Sequence, residues 1–71
     1  MRDDKALKAI GLNIKKMRKT QKLSQTQLAF EAGIPLRQLL RIEKGEVNTG
    51  ISTLLAIAKT LDVQLKDLVN F

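Results

Sequence analysis

The chain has 71 residues, 44% of them hydrophobic, with no cysteine, no histidine and a formal net charge of +6. That length makes one domain, residues 1–71, with a small core that removes about 60% of the unfolded surface from water; disulfides and Cys-based metal sites are excluded as staples. The charge is uneven: residues 1–45 hold eleven Lys/Arg against four Asp/Glu, and residues 46–71 hold two against three, so the first two-thirds of the chain should face an anionic partner.

The first predicted helix runs from about Asp4 to Gln21. Leu7, Ile10, Ile14 and Met17 recur at helical spacing and define one apolar stripe, with Lys8, Lys15, Lys19 and Lys22 on the other side. Those lysines read as a solvated face, or as a loose neighbour of phosphates. Gly11 costs about 1 kcal/mol relative to alanine unless close packing requires it. Leu12 projects away from the stripe, and nothing in the sequence explains it.

The second helix has an explicit start. Ser24 is placed as N-cap and Gln27 completes a Ser-x-x-Gln capping box, while Leu23 and Leu28 stand in hydrophobic-staple positions. Gly33 suits the left-handed residue that ends a helix. Pro35 should open the third helix at its first position, where a fixed φ fits and a missing N–H costs nothing. That helix, about 35–44, ends at Gly45. A fourth follows over roughly Ile51 to Leu61, with Leu54, Leu55, Ile57, Ala58 and Leu61 expected inward. A short fifth spans about Leu65 to Asn70, carrying Leu68 and Val69, with Phe71 close behind. No stretch alternates with period two, so the fold class is all-α: a compact five-helix bundle.

The third helix carries the functional signal. Leu39 and Ile42 lie about 60° apart and share one face. Arg37 and Lys44 lie opposite, flanked by Leu40 and Arg41. Two short helices joined by Gly33–Ile34–Pro35, the second cationic outside, make a helix-turn-helix over about 24–44. Such a helix fits a major groove about 12 Å wide, and arginine can bond guanine O6 and N7 bidentately. Leu36 or Leu40 can touch a thymine methyl, pack, or face a protein. Gln25, at the start of the second helix, can bond a phosphate where the positive helix end adds attraction. The competing reading for Arg37, Arg41 and Lys44 is a solvated cationic face. Arg18 and Glu43 lie at the edges of two apolar stripes, where a half-buried cation wants a carboxylate; they should form a structural ion pair that sets the angle of the third helix against the first.

The stretches "LSQTQLA", "AGIP", "RIEKG" and "ISTLLAIAKTLDV" together resemble the Cro and phage-repressor (XRE-type) helix-turn-helix family, over Ile10 to about Leu68. The turn glycine of that family matches Gly33, its small helix-contact residue Ala29, and its buried recognition-helix positions Leu39 and Ile42. The resemblance implies a lambda-repressor-like domain, usually a homodimer, binding double-stranded DNA at two related half-sites as a transcriptional repressor or controller. It places base contact at Leu36, Arg37 and Arg41, Gln25 near the backbone, and a buried ion pair at Arg18 and Glu43. Three positions depart from the family pattern. Pro35 stands where a capping Ser or Thr is frequent, Leu36 and Leu40 where polar residues are common, and Glu46 where basic residues are frequent, which leaves phosphate contact there to backbone N–H groups around Val47 and Asn48.

Other function classes fit less well. Without histidine or cysteine the commonest base and the best nucleophile are missing, so no enzyme is expected, and no cofactor. "GEVNTGIS" spaces two glycines like a phosphate-binding loop, but Ile51 occupies the lysine position. No apolar run nears the roughly 18 residues of a membrane span, and Arg2, Asp3, Asp4 and Lys5 do not open a secretory signal. A membrane-surface helix is disfavoured because the first helix lacks aromatics and later helices offer partners for its apolar stripe. The expected location is cytoplasmic. The serious rival is an antitoxin or accessory subunit that acts mainly through a protein partner, using the exposed leucines or the C-terminal "LKDLVNF".

Overall fold

A computed structural model describes residues 3–70; Arg2 and Phe71, both read above, lie outside the described residues. Among these residues five helices form: α1 (Asp4–Thr20), α2 (Gln25–Ala32), α3 (Leu36–Glu43), α4 (Ile51–Thr60) and α5 (Leu65–Leu68). None is long and apolar enough to cross a membrane.

Local chemistry sets most of the boundaries. Asp3 caps α1 by accepting from Ala6 N–H at 3.1 Å, and Ser24 Oγ accepts from Gln27 N–H at 3.0 Å, one of the two bonds of the expected box. The α2 helix ends on Gly33 at φ 74°, a left-handed conformation that costs glycine little. There Gly33 N–H donates to Phe30 O and Ile34 N–H to Ala29 O, so two terminal carbonyls are satisfied within the turn. Gly45 closes α3 in the same way at φ 71°. Two other helix ends put non-glycine residues in this region: Lys22 after α1 (φ 60°) and Asp62 after α4 (φ 58°).

Three expectations need correction. Pro35 is not the first residue of α3 but its N-cap, extended at φ −62° and ψ 142°, because a bond to Leu39 N–H requires only its carbonyl. Leu55 is 49% exposed rather than inward. It sits about 100° around α4 from buried Leu54, and the helices that pack on α4, namely α2 and α5, leave that side open. The α5 helix stops at Leu68, two residues early, and Val69 is 41% exposed.

The core collects Ile14, Leu28, Ala29, Leu39, Ile42, Leu54, Ile57, Ala58, Leu61 and Leu68, with Ile10, Met17 and Leu23 packed against it. Each helix delivers most of the residues its periodicity assigns; Leu7, at the start of the α1 stripe, stays outside the cluster, as do Leu55 and Val69. Helix α1 is also tied to the ends of the later helices through side-chain amides. Gln21 Nε2 donates to Leu61 O at 2.6 Å, and Asn13 Nδ2 donates to Leu68 O at 2.9 Å and Asn70 O at 3.2 Å. Leu61 O and Leu68 O belong to helix ends, which lack intrahelical partners, and Asn70 O to the segment that follows α5. The result is a frame in which α1 braces α3 on one side and α5 on another.

Candidate nucleic-acid interface

Helix α3 buries Leu39 at 0% and Ile42 at 2% exposure. With those two fixed inward, the 100° step of the helix sends Arg37, Arg41 and Lys44 outward, and all three are exposed. Leu36 is 40% exposed at the start of the same surface, and Leu40 is half-buried on its flank. The outward face is therefore two guanidinium groups and an ammonium beside two leucines, uncovered by the protein itself.

What holds α3 at its angle is a buried polar network. Arg18 Nε donates to Glu43 Oε2 at 2.8 Å and Arg18 Nη2 to Glu43 Oε1 at 3.0 Å, a bidentate pair joining α1 to the last residue of α3. The two residues are 7% and 6% exposed. A buried carboxylate is costly unless its lone pairs are used. Here Glu43 accepts a third bond, from Gln25 Nε2 at 3.1 Å, and the remaining Arg18 nitrogen, Nη1, donates to Leu23 O at 2.9 Å. Among the described residues no buried side-chain polar atom lacks a partner. The network thus links α1, the α1–α2 turn, the start of α2 and the end of α3.

Gln25 is placed differently from the expectation of a phosphate ligand. Its amide nitrogen points inward to Glu43, leaving one N–H hydrogen and the first backbone N–H groups of α2 for an anion. The helix pattern alone hid this bond, because Gln25 and Glu43 are 18 residues apart. At Gly11 close packing does require glycine, against a partner that the helix pattern does not name. A Cβ on Gly11 would lie 2.5 Å from Ile42 O and 2.6 Å from Glu43 O, so α1 and α3 touch backbone to backbone just where the ion pair forms.

A helix-turn-helix family model matches residues 14–68 of the chain. The chain belongs to the XRE-type helix-turn-helix family. Within this family it is 40% identical to an immunity repressor protein of Bacillus phage phi105 over 61 residues, which cover 86% of this chain and 42% of that protein. The chain thus spans less than half the length of that phage relative. Its fold superposes on the restriction-modification controller protein C.AhdI from Aeromonas hydrophila with a TM-score of 0.85, at 29% identity, covering 87% of this chain and 94% of the other. It also superposes on the biofilm master regulator SinR, solved in complex with DNA, with a TM-score of 0.82, at 34% identity, covering 86% and 98%.

Proposed function

We propose that this XRE-type chain is a transcriptional regulator that binds double-stranded DNA sequence-specifically, with α3 lying in the major groove. One observation carries the reading: the face of α3 opposite Leu39 and Ile42 presents exposed Arg37 and Arg41, on a helix fixed at its far end by the Arg18–Glu43 pair. Arg37 and Arg41 read base edges, Leu36 and Leu40 supply apolar contacts to thymine methyls, and Lys44 neutralises phosphate. Phosphate also meets the N-terminus of α2, where the helix end is positive and Gln25 keeps one amide hydrogen. Kinship with a phage repressor, a controller protein and a regulator crystallised on DNA supports the same reading. The regulator acts as a homodimer on two related half-sites, and its work is binding rather than catalysis.

Selection of bound sites from a random duplex library tests this directly. A pair of related half-sites is the expected product, and Arg37→Ala or Arg41→Ala should then cost about 1–3 kcal/mol on the selected duplex and relax preference at one base pair. If no duplex associates at low ionic strength, where phosphate attraction is strongest, the reading fails.

A further inference from the structure

The exposed side of α1 has no part in the reading above, and Leu12 is 61% exposed at its centre. Exposed lysines surround that leucine at helical spacing: Lys8 one turn before, Lys15 and Lys16 one turn after, and Lys19 two turns after. Ala9, a turn earlier, is small, so a shallow depression opens between Leu12 and the lysine stems; Ala9, Leu12, Asn13, Lys15, Lys16 and Lys19 line it. No carboxylate occurs between Lys5 and Lys22, so around Leu12, beyond the Asp4 that opens the helix, this face is strongly cationic. We propose that this face of α1 is a docking surface for an acidic amphipathic segment of a partner protein, which buries an apolar side chain against Leu12 over Ala9 and sets carboxylates against the lysines.

Charge complementarity selects that occupant, and the leucine narrows it further. Lysines alone suit phosphate, but a nucleic-acid backbone offers nothing to cover an apolar centre. A membrane would need a wide apolar face, and on α1 that stripe is spent on the core through Ile10, Ile14 and Met17. An acidic helix or strand with one apolar anchor satisfies both parts, and the lysine stems extend the apolar contact while their ammonium groups stay wet. The location matters as well. Leu12 lies about 100° and Lys16 about 140° around α1 from Gly11, the point where α1 touches α3, while Lys8 sits nearer, against Gly45 at the end of α3. The depression itself is lined by α1 residues alone and takes nothing from α3, so a regulator with no sensing segment within these residues gains a second surface for control by another protein.

The test is selection from a random peptide display library on the full chain, with Leu12→Ser as counter-target and duplex binding measured in parallel. Enriched peptides should carry several Asp or Glu around a single Leu, Ile, Met or Phe. In amide NMR they should shift Ala9, Leu12 and Lys16, and they should lose about tenfold or more in affinity on Leu12→Ser. Leu12→Ser should keep wild-type unfolding and duplex affinity. Enriched peptides without that pattern, or indifferent to Leu12→Ser, overturn the proposal. So do random-sequence duplexes that shift the same amides, or phosphatidylglycerol vesicles whose binding alone depends on Leu12. Because duplex binding is read on the same sample, failure here is distinct from failure of the DNA reading.

Discussion

Replacing Gly11 with alanine sets two effects of opposite sign against each other. In an isolated helix the change is favourable by about 1 kcal/mol, since glycine is the poorer helix former. In this fold the added methyl meets Ile42 O at 2.5 Å, Glu43 O at 2.6 Å and Glu43 C at 2.8 Å, where ordinary contact begins near 3.4 Å. All three atoms are backbone, so no rotamer change relieves them; α3 must move away from α1 by close to an ångström. That motion loosens buried Ile42 and stretches the 2.8 Å bond between Arg18 and Glu43. Overpacking of this kind costs about 2–3 kcal/mol. The expected net is a loss of about 1–2 kcal/mol, read by urea unfolding followed by circular dichroism, with a fall in melting temperature of roughly 5–15 °C for a domain of this size. Affinity for the selected duplex should fall too, since the end of α3 is what moves. Gly50→Ala is the comparison: no atom lies within 4 Å of its Cβ and its φ is −71°, so it meets no clash, only the loss of about 0.5–1 kcal/mol that alanine brings at the N-cap of α4, with duplex affinity unchanged. A Gly11→Ala variant that is more stable than wild type by about 1 kcal/mol would refute the close approach of the two helices.

Arg18→Ala strands the buried Glu43 carboxylate and should lower stability by about 3–5 kcal/mol, with much of the loss recovered by an apolar pair, Arg18→Met with Glu43→Leu; wild-type unfolding of the single variant would contradict the network. Gln25→Ala removes one charge-assisted bond at a half-buried site and should cost about 1 kcal/mol in urea unfolding. Unchanged stability would contradict the bond to Glu43, and a separate drop in duplex affinity would report the second amide hydrogen on phosphate. Lys22→Gly should raise stability by about 0.5–1 kcal/mol in thermal unfolding, because the left-handed residue after α1 strains a side chain with a Cβ. A loss of that size would mean the lysine makes a compensating contact.

Much of the fold was legible because its signals are short-range. Ser24 with Gln27, Gly33 and Gly45 mark helix ends through bonds spanning a few residues, and these form as the chain enters or leaves each helix. Leu39 and Ile42 define an inside for α3, and that alone sends Arg37, Arg41 and Lys44 outward. Arg18 and Glu43 could be matched because each lies on the rim of its own apolar stripe, a property of one helix at a time. The Pro35 boundary slipped by one residue because φ is the same for a first helical residue and for an extended cap. What separates them is ψ, 142° here, which the following bonds decide.

The sequence by itself thus determined the five helices, the helix-turn-helix, the cationic outer face of α3 and the partnership of Arg18 with Glu43, because periodicity and capping act within a few residues. Only the tertiary structure decided that Gly11 is a contact between backbones, that Gln25 turns inward to Glu43, that Leu55 faces out, and that Asn13 and Gln21 close the ends of α5 and α4. Those outcomes depend on which neighbour arrives against a given side of a helix, and the neighbours come from residues up to 57 positions away. A helical repeat names the face that must be buried; the distance and direction of what buries it belong to the packed whole.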